Sequence, residues 1–367
     1  LREVAVNRRN LLVGAGGAVL VAGVGAAAAL RLSLGSMADY EIYANGLRTP
    51  LVRRDITDVI RYATLAANSH NTQAWRFRFA GRAIAVMPDF ARRTPIVDPD
   101  DHHLFVSLGC AATNLAIAAS ASGWPGEITA ASGGGGVRYE FIEGSPKPDP
   151  MLAVIPKRQS TRAVYDGRAV SNSDLDMLAS AAAVPGTSLV IVTDRARIGK
   201  IRDLVVAGND DQMADPAFMN ELKQWIRFNA QRAMAAGDGL FSAASGNPSL
   251  PTSLGRLAVD QFFDAKSEGE KYARQIDSSA GIAIFIGDEE DRDHWIRVGQ
   301  ACQNFALAAT SLGLKLAFIN QPVEVVRLRG ELARLIGTTK RPDIVLRFGY
   351  GPTLPYSPRR PAVSVIA

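Results

Sequence analysis

Cysteine is scarce in this chain. Two residues, Cys110 and Cys302, among 367 are too few for a disulfide framework, and they fit no CxxC or metal-ligand spacing. Each lies in an alanine-rich, helix-like stretch, where a buried free thiol is expected. Histidine is nearly as rare. The one cluster, Asp101-His102-His103, reads as an exposed helix start, and adjacent helical residues diverge. No metal site is expected, and His294 beside Trp295 is read as structural. No dense Lys/Arg run interleaved with aromatics appears. The net charge is +5, and part of it comes from Arg2, Arg8 and Arg9, so nucleic acid is not an expected partner. No Gly-x-Gly-x-x-Gly follows a strand and no Ser/His/Asp set shows by spacing. A Rossmann site and a triad hydrolase therefore drop out.

Long apolar runs are confined to the N-terminus. Asn7-Arg8-Arg9-Asn10-Leu11-Leu12 leads into a Gly/Ala-rich run through Leu30, with small residues at Ala26 to Ala29. Paired arginines before a mild apolar stretch have the form of a twin-arginine export signal, and the run is also long enough for a membrane anchor. Residues 1–35 are set apart on that reading. The expected location is the cell envelope or beyond it, or the cytoplasm if the signal does not function. Membrane contact is expected only through this segment.

The remainder reads as a mixed α/β chain. Residues 31–50 look like a linker. Asp55 to Ala67 is an amphipathic helix running into the polar loop Asn68-Ser69-His70-Asn71-Thr72-Gln73. Trp75, Phe77 and Phe79 alternate with arginines, a strand signal, and Ala83 to Met87 is its hairpin partner. Residues 104–121 are helical, and Gly144 to Pro150 links to a second half. That half carries strands at Ser188 to Thr193, Gly281 to Ile286, Leu316 to Ile319 and Ile344 to Phe348. Residues 196–240 read as polar helix with an apolar stripe of Met213, Phe218, Met219, Leu222 and Trp225. The Gly/Ser/Pro-rich stretch 237–254 is a lid candidate.

One segment repeats. Leu108-Gly109 through Asn114 to Gly123 matches Val298-Gly299 through Asn304 to Gly313 at a constant offset of 190 without a gap. The small residues predict close helix–helix packing at a central interface. Arg158-Gln159-Ser160-Thr161-Arg162 is the other distinctive stretch. If it is extended, Arg158, Ser160 and Arg162 share one face, two guanidinium forks and a hydroxyl that suit a phosphate monoester. Taken alone it is equally a solvated basic loop.

Taken together these stretches resemble the nitroreductase family of FMN proteins. Ser69-His70-Asn71-Thr72-Gln73-Ala74-Trp75 is similar to its Ser-x-Asn-x-Gln-Pro-Trp loop. The repeated helix resembles its dimer-interface helix, and Arg158 to Arg162 its phosphate-binding segment. Phe348-Gly349-Tyr350-Gly351-Pro352 with Arg359-Arg360 resembles its C-terminal segment. The double-length, Acg-like subgroup is the nearest in pattern. The resemblance implies an α+β fold of two fused nitroreductase-like halves, residues 36–150 and 151–367, with an insertion at about 196–278. Central mixed or antiparallel sheets flanked by helices would form an intramolecular pseudo-dimer, monomeric in solution.

It also implies one composite FMN site, because Ser69 to Trp75 has no counterpart in the second half and Arg158 to Arg162 none in the first. Arg158, Ser160 and Arg162 would hold the phosphate, with Arg359 or Arg360 as the distal cation. Ser69, His70 and Asn71 would bond the ring edge or ribityl chain. Gln73 and Trp75 would support that loop, and Asn320-Gln321 would flank the ring. Chemistry would pass through flavin N5, with NAD(P)H or another donor and an electrophilic small molecule as acceptor. The alternative is a flavin-sequestering protein with its flavin under a lid.

Overall fold

The computed structural model describes residues 33–52, 55–131 and 135–367. The export-signal stretch through Leu30 lies outside these residues.

Helix α1 (Met37–Gly46) occupies the stretch expected to be a linker. Ser36 caps it, accepting from the Asp39 amide at 3.2 Å. Its weak amphipathicity hid it, since it buries only Tyr40 and Ala44, with Tyr40 against Phe241. Helix α2 (Ile56–Thr64) is capped by Asp55 and buries Val59, Ile60 and Ala63. Strands β1 (Trp75–Ala80) and β2 (Ala83–Pro88) form the expected hairpin around Gly81, whose φ of +59° only a glycine adopts freely. Helix α3 (His102–Ala121) follows, then β3 (Gly126–Ala130) and β4 (Val137–Phe141). The first sheet is antiparallel, in the order β1-β2-β4-β3. By length and composition α3 passes for a membrane span, but it is a buried core helix here.

The first α-helix and strand of the second half are α4 (Asn172–Ala181) and β5 (Thr187–Val192). The stretch expected as an insertion holds α5 (Arg195–Ala214), α6 (Pro216–Trp225), β6 (Ile226–Arg227), α7 (Ala230–Ala236), β7 (Leu240–Phe241), α8 (Thr252–Phe262) and α9 (Ala265–Asp277). Then come β8 (Gly281–Gly287), α10 (Arg292–Ser311), β9 (Lys315–Phe318), α11 (Gln321–Glu324), α12 (Val326–Ile336) and β10 (Pro342–Gly349). The second sheet is antiparallel in the order β5-β8-β10-β9. Its two inner strands are buried throughout, so they read as continuous apolar runs rather than alternating ones.

Helices α3 and α10 join the halves. The repeat explains how closely they approach. A Cβ on Gly109 would stand 2.0 Å from the Ile296 carbonyl oxygen, and one on Gly299 would stand 2.0 Å from that of Val106. The two contacts mirror each other across the crossing. The repeated asparagines do not. Asn114 is buried and accepts from Gln303 Nε2 at 2.9 Å, whereas Asn304 is half-buried outside this pair. Gln303 in turn accepts from the Ala67 amide, and Asn114 donates to the Tyr62 carbonyl. Both thiols sit in this interface, buried and free. The C-terminus crosses back to the first sheet, where Phe77 bridges Ile366 in parallel and its amide donates to the Val365 carbonyl at 2.8 Å.

Candidate functional site

A cavity of about 240 Å³ lies where the halves and the insertion meet. The first half supplies Ser69, His70, His103 and Cys110. The second supplies Arg162, Phe318, Asn320, Gln321 and Glu324. The insertion roofs it with Met213, Phe218, Leu222, Lys271 and Tyr272.

The Ser69 loop is strained. His70, Asn71 and Gln73 have φ of +46°, +53° and +53°, unfavourable for residues with a Cβ. Side-chain bonds hold them there. Asn68 Oδ1 accepts from the Gln73 amide at 2.9 Å. Asn71 Nδ2 donates to the Gly239 and Pro358 carbonyls, both at 3.0 Å, and its Oδ1 accepts from Arg359 Nη1 at 2.7 Å. Gln73 Nε2 donates to Gly237, and its Oε1 accepts from the Arg360 amide. The amides of Asn71 and Gln73 are therefore spent on the loop and the C-terminal tail, outside the cavity wall. Ser69 and His70 do reach the wall. Burial, then the Arg162 charge, lowers the His70 pKa to about 4, so the ring is neutral at pH 7.

The arginines part company as well. Arg158 and Arg359 are buried and turn to the C-terminal end of α2, whose last carbonyls have no partner within the helix. Arg359 donates to Thr64 at 2.7 Å, to Ala66 at 3.1 Å and to Leu65 at 3.5 Å, besides Pro358 and Asn71. All five of its N–H groups are used. Arg158 Nη2 donates to Leu65 at 2.6 Å, and its buried Nε has no partner. Arg360 bonds Gln73 and Ser364. Neither Arg359 nor Arg360 lies on the cavity, contrary to the distal-cation expectation, because the tail carrying them packs on α2 and the Ser69 loop. Arg359→Gln is expected to lower stability by about 3 kcal/mol, read by urea denaturation, with ligand affinity per folded molecule unchanged.

Arg162 is different. Its guanidinium lines the cavity and makes no hydrogen bond or ion pair with the described residues. Its backbone is fixed from behind. Arg347, fully buried in β10, donates to the carbonyls of Thr161 at 3.3 Å and Ala163 at 2.8 Å, and Gln275 Nε2 donates to that of Arg162 at 3.0 Å. Arg347 also stacks on the Tyr165 ring at 4.1 Å. Only one residue of the segment is strand-paired. Ser160 bridges Leu316, and the Thr161 amide donates to the Leu316 carbonyl at 2.7 Å. The shared face expected for Arg158, Ser160 and Arg162 does not form, since Arg158 caps a helix and Arg162 faces the cavity.

His102 and His103 are buried, not an exposed helix start, because Asp343 of β10 and Trp295 of α10 pack against them, while the start of α3 is capped by Asp98. Its carboxylate accepts from the amides of His103 and Leu104, both at 2.9 Å. The two rings lie 4.7 Å apart, so these helical neighbours do meet. Donor atoms of Asp98, His102 and His103 come within 4.8 Å of one another. They are already engaged with the protein, with His102 Nε2 2.8 Å from Asp343 Oδ1 and His103 Nε2 3.3 Å from the Asp343 carbonyl. Burial lowers the two histidines to about 3 and about 4, and raises Asp343 to about 6. Sequence reasoning also passed over Lys271 and Glu324 on the wall; Lys271 lies in a polar helix with no motif around it, and Glu324 sits one turn beyond the Asn320-Gln321 pair that drew attention instead.

A sequence profile of the nitroreductase family matches residues 155–351. The chain belongs to the nitroreductase family. It is 26% identical over 324 residues to Rv3131 of Mycobacterium tuberculosis, a protein assigned by name to the NAD(P)H nitroreductases, covering 85% of this chain and 90% of that one. Among solved structures it is similar to a nitroreductase with bound FMN from Bacteroides fragilis, at 16% identity and TM-score 0.35, over 56% of this chain and 90% of that one. NfnB of Mycobacterium smegmatis, an FMN-dependent nitroreductase solved with NADPH, matches at 13% identity and TM-score 0.37, over 54% of this chain and 86% of that one.

The residues fit an FMN. Arg162 offers an uncompensated guanidinium to an anion, and a lysine shares its cavity. Gln321 Oε1, on the same wall, is buried with no donor.

Proposed function

We propose that this chain is an FMN-dependent oxidoreductase that takes electrons from NAD(P)H or another donor and reduces an electrophilic small molecule, with one FMN per chain. The observation that carries the reading is the unpaired Arg162 guanidinium, held by Arg347 and Gln275, facing a cavity built from both halves. When bound, FMN supplies two-electron transfer between the donor and the acceptor. Arg162 would hold the phosphate, with Lys271 beside it, its charge partly offset by Glu268 at 3.6 Å. Gln321 Oε1 would be free to accept from an N–H of the flavin, and Ser69 and neutral His70 would offer polar contacts without adding charge. Met213, Phe218 and Leu222 exclude water and present an apolar wall to an aromatic acceptor. The two-half arrangement serves as an intramolecular pseudo-dimer, each half completing the other's part of the site.

The insertion roof favours a second reading, a protein that stores flavin without turnover. Anaerobic addition of NADPH to the FMN-loaded chain separates them. Bleaching of the yellow band, with recolouring by a quinone or nitroaromatic, is expected. Bleaching by dithionite alone would favour storage or a different donor, and a chain that takes up no FMN would overturn both.

A further inference from the structure

One acid–base contact on the cavity wall is unused by flavin binding. Glu324 and His103 both line the cavity, from α11 and α3, and Glu324 Oε1 lies 3.8 Å from His103 Nδ1. The tautomer follows from the neighbours. His103 Nε2 faces the Asp343 carbonyl at 3.3 Å, and a carbonyl only accepts. The hydrogen of the neutral ring therefore sits on Nε2, leaving the Nδ1 lone pair toward Glu324. Gln212 Nε2 donates to Glu324 Oε2 at 2.6 Å. That leaves Oε1 as the oxygen for a proton when the carboxyl is neutral.

The surroundings favour that neutral form. Burial raises the Glu324 pKa and Asp98 adds to the rise, against lowering by His103, Gln212 and Arg329. Arg329 does not pair with it, since its Nε donates to the Val323 carbonyl at 2.7 Å. The groups facing His103 are His102, Asp343 and Arg341, and with burial they leave its pKa at about 4. At pH 7 the imidazole is neutral, and burial keeps more of Glu324 in the acid form than an ordinary glutamate would hold. Glu268, the other cavity-lining acid, instead lies 3.6 Å from Lys271. Its charge is compensated on the spot.

We infer that Glu324 is the proton donor for the acceptor reduced in this cavity, with His103, whose Nδ1 lone pair faces Oε1 from 3.8 Å, as the positioning residue. The inference rests on the flavin reading above. The acceptor is an aromatic molecule with a carbonyl of quinone type. Its ring system takes two electrons and a proton as hydride from the reduced flavin. Its oxygen takes the second proton from Glu324 Oε1, and the O–H bond of the acid breaks as the new one forms. The product is the hydroquinone, and the Glu324 carboxylate regains a proton from water once it leaves. Asp98, Asp343 and His102 remain a buried framework behind the pair.

Two measurements test this. In flavin-free protein with carboxyl-13C glutamate, one resonance, absent from Glu324→Gln, is expected to titrate above the ordinary glutamate range. Titration within that range would overturn the inference without reference to any variant's folding. In FMN-loaded protein reduced beforehand with dithionite, rapid mixing with a water-soluble benzoquinone reads flavin reoxidation. Glu324→Gln is expected to take up FMN normally yet reoxidise about 100-fold more slowly, with the solvent deuterium effect of the parent protein lost. His103→Gln, whose side-chain N–H replaces the acceptor Nδ1, is expected to slow the same step less and shift its pH profile. Reoxidation at the parent rate in Glu324→Gln would sink the proton-donor role while leaving the flavin reading intact. Failure of the parent protein to bind FMN would instead sink that reading.

Discussion

Gly299→Ala is expected to destabilise the chain by about 3 kcal/mol, at the upper end for overpacking, and to leave a fraction of it misfolded. The added methyl would stand 2.0 Å from the Val106 carbonyl oxygen and 3.0 Å from the Cys110 amide nitrogen. Neither is the end of a flexible side chain, so relief requires α3 and α10 to separate. Separation would pull apart the Gln303–Asn114 bond and open the cavity wall that Cys110 and His103 line. Gly109→Ala meets the Ile296 carbonyl in the same way and should behave alike. Gly46→Ala is the control. Its methyl meets nothing within 4 Å at the end of α1, so stability should hold or rise slightly. Urea denaturation of the three variants reads the difference.

Arg162→Ala is expected to weaken FMN binding by 10- to 100-fold, roughly the loss of one strong charge-assisted bond to phosphate. Quenching of free FMN fluorescence on titration with protein measures it. Stability should change little, because Arg162 is half-buried and its guanidinium bonds none of the described residues. Arg359→Gln should show the opposite pattern, stability lost and affinity kept. Arg347→Lys should fall between them. A lysine cannot reach the carbonyls of Thr161, Ala163 and Gln275 together, so Arg162 loses its aim while remaining present.

Much of the architecture was legible where a pattern had one physical cause. The alternation from Trp75 to Phe79 and the short Gly81 turn gave the hairpin. The Gly109/Gly299 repeat gave the helix crossing, because only glycine permits backbone contact there. The α1 helix was illegible because its faces differ little in polarity. The site was harder. Arg158, Ser160 and Arg162 alternate as a strand would, but strand pairing touches only Ser160, so alternation did not translate into a shared face. Arg359 had the charge expected of a phosphate ligand, yet the free carbonyls ending α2, with Asn71 and Pro358, lie nearer and take all its donors. His102 and His103 looked like a solvated helix start. Their burial depends on Asp343 from a strand some 240 residues later, which no local pattern announces. A charged residue within Ile344-Val345-Leu346-Arg347-Phe348 was the one available sign of a buried positioning arginine.

The most direct test of a single composite flavin site is native mass spectrometry of the full chain reconstituted with excess FMN and desalted. The account predicts a monomer carrying one FMN, and flavin-free monomer for Arg162→Ala under the same conditions. A wild-type monomer that retains no FMN, or flavin found only in a two-chain species, would contradict it.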